Sequence, residues 1–207
     1  MAVYPPPPAG RVSLGRRAAR LPRPGRPRYT PIRSSGRGFR SRGSLRTTRD
    51  LGLPLLLADL LTQERIRIPL SSQDKEGVLR ELAALLAEAS GVPEEEPAIH
   101  RAVCEREAVL STGIGGGVAI PHGKTGVVDG LYLAAGTARH PIDFEALDGQ
   151  PVRLVFMLVG PASSAGLHVQ ALSRISRLLR HAALRKRLLA AETPAEFVQL
   201  VRDAEAR

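Results

Sequence analysis

Between Gly115 and Gly126 the chain reads GGGVAIPHGKTG, and two chemistries compete for it. Glycines followed by Gly-Lys-Thr suggest a loop that wraps the phosphates of a nucleotide. The triplet Pro121-His122-Gly123 suggests instead a histidine that carries a phosphoryl group of its own. A nucleotide phosphate loop needs Gly, four residues, then Gly-Lys-Ser/Thr, because its N–H groups must wrap the phosphates in one fixed curl. Counting back from Gly123-Lys124-Thr125, the required glycine falls on Val118, and Gly117 comes one residue too early. Pro121 has no N–H to offer. The segment before the stretch reads as helix, where a phosphate loop follows a strand. The nucleotide reading is rejected.

His122 suits the second chemistry. A phosphoryl-carrier histidine needs a neutral ring nitrogen, held in one orientation and open to a partner protein. Pro121 stiffens the backbone before it, and Gly123 leaves room for a phosphoryl group to approach in line. Such a transfer passes through a loose transition state, so positioning and charge compensation do most of the work. Taken alone, a histidine in a glycine-rich loop is more often a plain surface residue, so at this point both readings stand.

The elements that must hold this stretch are legible on either side of it. LLLADLLT reads as a short helix and RIRIPL alternates like a strand. SSQDKEGVLRELAALLAEASG is the clearest helix, with Ser72 as its expected cap and Asp74 and Glu76 in its first turn. Leu79, Leu82, Leu85 and Leu86 form its apolar face, and Gly91 and Pro93 end it. PEEEPAIHRAVCEREAV reads as a second helix, reaching about Val109. The glycine-rich stretch through Gly126 lacks periodicity and reads as loop. Gly130–Ala138 and Val152–Gly160 read as strands, the second apolar almost throughout, as a central strand covered on both faces would be. Between them DFEALDGQP carries an Asp-Gly turn. LHVQALSRISRLLRHA, LRKRLLAAE and PAEFVQLVRDA read as helices. Helices on both sides of a buried sheet imply a layered α/β domain.

Charge divides the 207 residues unevenly. Residues 1–50 hold thirteen arginines and one acid, Asp50, for a net charge of +12; the remainder holds 17 basic and 19 acidic side chains, for −2. The overall +10 therefore belongs to a tail, which argues against nucleic-acid binding by the folded part. The tail is rich in Arg, Pro, Gly and Ser, and too poor in aliphatic residues to offset the entropy of ordering it, so residues 1–50 are expected to be disordered and residues 51–207 to fold. A basic arm for nucleic acid or anionic lipid, a transit peptide, and translated sequence upstream of a start near Leu51 are the other readings of it. A single cysteine, Cys104, excludes an internal disulfide and fits a reducing cytoplasm. No apolar run reaches the roughly 18–20 residues of a membrane helix.

Taken together, REAVLSTGIGGGVAIPHGKTGVVDG, HPIDFEALDGQPVRLVFMLVGPA and LHVQALSRIS resemble the IIA domain of the phosphoenolpyruvate-dependent phosphotransferase system, of the fructose/mannitol type and nearest to its nitrogen-related branch. The resemblance covers about Leu55 to Asp203. It implies a mixed β-sheet flanked by helices, no cofactor, and a phosphotransferase working through a phosphohistidine on His122. The donor would be HPr or its nitrogen-branch counterpart, and the acceptor a IIB domain or a regulated protein. His168 matches the family's second active-site histidine, and Arg106 matches an arginine near the phosphoryl group. Physically, His168 falls in the first turn of a helix, where the imidazolium is disfavoured and a neutral ring can donate to a phosphoryl oxygen; Arg106 can make a forked contact. Ser111, Thr112, Gly113, Gly115, Gly117, Pro121 and Gly123 complete the loop. A regulatory role is preferred; a sugar-transport IIA component, or a non-catalytic module that binds through the basic arm, are the alternatives. Of the other histidines, His100 is expected on the surface, His140 at a turn or strand end and His181 near a helix end. The arginines of RISRLLRHAALRKR are read as a solvated face. Cys104 is expected to pack within its helix, with no ligand set for a metal.

Overall fold

The computed structural model describes residues 55–206, and the expectation for residues 1–50 lies outside them. In chain order the elements are α1 (Leu57–Leu60), β1 (Ile66–Leu70), α2 (Lys75–Ser90), α3 (Glu96–Val109), β2 (Gly113–Gly115), β3 (Val118–Ala119), β4 (His122–Lys124), β5 (Tyr132–Ile142), β6 (Val152–Gly160), α4 (Ala165–Leu179), α5 (Ala182–Ala190) and α6 (Pro194–Glu205). β1, β5, β6, β3 and β2 lie side by side in that order, and β4 also pairs with β6. The β5–β6 and β2–β3 pairs are antiparallel and the others parallel, so the sheet is mixed. Among the described residues no helix is long and apolar enough to cross a membrane.

β6 divides the core by alternation. Leu154, Phe156 and Leu158 pack with residues of α4, α5 and α6, whereas Val155, Met157 and Val159 pack with those of α2 and α3. All six are fully buried, at about 1.5–3 kcal/mol of transfer free energy for each large side chain. A strand that must satisfy two helical layers has no polar face to give up, and this accounts for its near-continuous apolar run.

The glycine-rich stretch is not simply a loop. Val118 and Ala119 lie opposite Leu154 and Val155, and His122, Gly123 and Lys124 lie opposite Leu158, Val159 and Gly160. The offset is the same throughout, so β3 and β4 form one line along β6 that breaks at Ile120-Pro121. Leu158 N–H still donates to the Pro121 carbonyl at 3.0 Å, while Pro121 has no N–H to return. His122 therefore sits in a strand. Its hydrogen-bond partners lie some 36 residues away, which local periodicity cannot register.

The start of α2 also departs from expectation. Asp74 caps it, accepting from Gly77 N–H at 2.8 Å, while the Ser72 hydroxyl donates to Glu81 at 2.9 Å. Two residues of register decide this, since the cap must immediately precede the first helical residue, Lys75.

Candidate functional site

Strand alternation puts His122 on the same face as Ile120, towards the α4 layer, and Gly123 on the opposite face, against α3. The second placement demands glycine. A Cβ at position 123 would lie 2.8 Å from the Ala102 carbonyl carbon and 2.9 Å from Val103 N. β4 thus runs directly along the backbone of α3, close enough for Arg106 to reach His122.

His122 Nδ1 lies 2.9 Å from the Ile120 carbonyl oxygen. A carbonyl only accepts, so Nδ1 carries the proton and Nε2 keeps its lone pair. Arg106 Nε donates to that Nε2 at 3.2 Å, and its Nη1 donates to the Leu110 carbonyl at 2.8 Å. On the other side stands His168, in the first turn of α4, its ring centroid 5.8 Å from that of His122. His168 is only 2% exposed, and neither of its ring nitrogens has a hydrogen-bond partner among the described residues. His122, His168 and Arg106 are therefore brought together.

Both rings are held neutral. Burial depresses the His122 pKa; the Ile120 carbonyl and Glu107 oppose this, and the Arg106 and Lys124 charges reinforce it. Burial, followed by the proximity of His122 and Lys124, brings His168 down to about 4. An unprotonated Nε2, a guanidinium at that same atom and a second neutral imidazole 5.8 Å away make an arrangement in which Nε2 could act as a nucleophile.

The remaining loop residues bond elsewhere. Thr112 N–H and hydroxyl donate to the buried carboxylate of Glu107, which also pairs with Lys75 Nζ at 2.9 Å. Ser111 donates its hydroxyl to the Phe144 carbonyl at 2.6 Å and accepts from Gly113 N–H. Gly115 and Gly117 take φ of 91° and 76°, the left-handed region that favours glycine, and turn the chain between β2 and β3. The buried Pro121 interrupts the β3–β4 line. Ser111, Thr112, Gly113, Gly115 and Gly117 thus support the loop that leads to His122.

Sequence reasoning missed Glu107 and Lys75, which brace the end of α3. The signal was present: a glutamate in the last turn of a helix opposes the dipole and needs a dedicated partner. The expectation for His100 is corrected as well, whereas Cys104 packs against the α2–α3 side of the core as expected. His100 is half-buried, with Nε2 3.3 Å from Glu76 Oε1 and 3.4 Å from Cys104 Sγ. The three residues converge because α2 packs on α3, a contact that spacing along one helix does not show.

Residues 59–204 match the model of the family "Phosphoenolpyruvate-dependent sugar phosphotransferase system, EIIA 2". The chain is 41% identical over 134 residues to the nitrogen regulatory protein of Bradyrhizobium diazoefficiens, covering 65% of this chain and 86% of that protein. It is 39% identical over 145 residues to the fructose-specific EIIABC component of Bacillus subtilis, covering 70% of this chain but only 23% of that much longer protein. The crystal structure of the nitrogen regulatory protein IIA-Ntr from Neisseria meningitidis superimposes with a TM-score of 0.66 at 28% identity, covering 70% of this chain and 98% of that one.

Proposed function

The chain belongs to the EIIA type-2 family of the phosphoenolpyruvate-dependent phosphotransferase system, and from that membership we propose that His122 is its phosphoryl acceptor. The observation that carries the reading is the pinned tautomer of His122. With Nδ1–H committed to the Ile120 carbonyl, Nε2 is the one ring atom with a lone pair to give. Nε2 attacks the phosphorus of a phosphohistidine on HPr or a nitrogen-branch HPr-like carrier. The new Nε2–P bond forms as the donor's N–P bond breaks, and that electron pair returns to the donor ring. Arg106 leaves the lone pair of Nε2 to follow the phosphoryl oxygens, so that one guanidinium first orients the nucleophile and then neutralises the charge arriving on it. His168, neutral and without a partner, donates to a phosphoryl oxygen and so satisfies a buried nitrogen.

Incubation with phosphoenolpyruvate, enzyme I and HPr, followed by intact mass, tests this. One acid-labile phosphoryl adduct is expected, absent in His122→Ala and present, but formed more slowly, in His168→Gln. An adduct of equal yield in His122→Ala would overturn the assignment.

We read the role as regulatory, since nitrogen regulatory proteins are among both the similar sequences and the similar structures. The fructose-specific relative supports the alternative, a transport component that passes the group to a IIB domain. Rapid loss of the adduct to a fructose-type IIB would favour transport. Retention of the adduct in its presence would favour regulation.

A further inference from the structure

On the side of α3 away from Arg106, a second group of reactive atoms converges. His100 and Cys104 are four residues apart and share one face of α3, while Glu76 projects from the first turn of α2. Their ligand atoms all lie within 4.8 Å of one another. Nε2 of His100 is 3.3 Å from Glu76 Oε1 and 3.4 Å from Cys104 Sγ, and Sγ is 3.9 Å from Glu76 Oε2. A tetrahedral ion with bonds of about 2.0–2.3 Å sets its ligand atoms roughly 3.3–3.7 Å apart. His100 Nε2 and Cys104 Sγ already stand at that spacing, with one Glu76 oxygen beside each, so a turn of the carboxylate brings a single oxygen to the third corner.

The charges agree with the distances. A thiolate and a carboxylate carry two negative charges between them, and a neutral imidazole adds none, so a dication is balanced by this set. Thiolate with imidazole selects zinc-class metals over magnesium and calcium, which prefer oxygen ligands. Of the nearby cations, Lys75 is held by Glu107 and Glu145, and Arg80 lies 3.4 Å from Glu76, in a pair whose two side chains are each 62% exposed. Such an exposed pair is weak and yields readily.

We propose that Glu76, His100 and Cys104 form a zinc-class cation site that ties α2 to α3. Three protein ligands leave a fourth position for water, open on the exposed Glu76 side. On binding, Cys104 releases its thiol proton to solvent and its sulfur donates an electron pair to the metal; no electron is transferred. The site does not depend on phosphoryl transfer at His122, and either can fail without the other.

Cobalt(II) is the probe, titrated into the full reduced chain. One equivalent should bind with a thiolate-to-cobalt charge-transfer band, zinc should displace it, and zinc should protect Cys104 from alkylation in the unaltered protein. Cys104→Ser should abolish the band. His100→Gln and Glu76→Gln should each weaken affinity by at least about 10-fold, and His122→Ala should leave it unchanged. Cobalt bound without a thiolate band, alkylation of Cys104 unaffected by zinc, or a band undiminished in both His100→Gln and Glu76→Gln would overturn the site.

Discussion

Arg106 donates to the same nitrogen that is proposed to attack phosphorus, so its removal has two opposed effects. It frees the lone pair, and it takes away the charge that meets the incoming phosphoryl oxygens. The second should dominate, because donors aimed at developing charge in such sites are worth roughly 10²–10³ in rate. Arg106→Gln is therefore expected to slow acceptance from phosphorylated HPr by about that factor in a rapid-quench assay, with only a small loss of thermal stability from its exposed bond to the Leu110 carbonyl. The two histidines give a second prediction at this scale, and its sign follows from their lowered pKa values. A His168 that titrates at about 4 when folded, against about 6.5 when unfolded, binds fewer protons in the native state between those limits. Its contribution to stability is complete above about 6.5 and is lost as pH falls towards 4. Melting temperature should fall with acidification across that window, and the slope should be shallower in His168→Gln. An identical slope in the variant would place the acid sensitivity elsewhere, in His122 or the carboxylates.

At the scale of elements, β4 is held between two neighbours with different demands: β6 sets its register and α3 sets how little side chain it can carry. Gly123→Ala places a methyl group against backbone atoms of Ala102 and Val103, which cannot rotate away as a side chain would. A cost of about 1–3 kcal/mol in urea unfolding is expected. Because relief requires α3 to move, Arg106 moves with it, and acceptance should slow as well. The long elements were legible in the sequence for a simple reason: α2 and β6 show their environments in their own periodicity, four leucines on one face and an apolar run covered twice over. His122 stood out as a candidate centre through the family resemblance of the sequence around Pro-His-Gly, since a histidine in such a loop taken alone is more often a surface residue. Its strand was not, since β3 and β4 exist through pairing with β6 and carry no alternation of their own. Nor was the Glu76–His100–Cys104 cluster, which depends on how α2 packs on α3. What the sequence withheld was, in both cases, a contact between separate elements.

For the whole molecule the governing contrast is electrostatic. Residues 51–207 carry a net −2 and contain every group placed around His122, whereas residues 1–50 carry +12 and contain no histidine or cysteine. Affinity for a polyanion depends on the number of cations it engages and weakens steeply with salt, whereas the proposed acceptance at His122 would draw on groups fixed by β4, α3 and α4. The two properties should therefore separate. A chain that starts at Leu51 is expected to accept the phosphoryl group at the rate of the full chain, and to elute from an anionic heparin column at low salt where the full chain is retained. If the shorter chain instead lost acceptance while keeping its melting temperature, the thirteen arginines would belong to donor recognition, and the folded domain alone would not account for the transfer. If both chains eluted together, the charge of residues 1–50 would be masked in the full protein, and the separation argued from composition would fail.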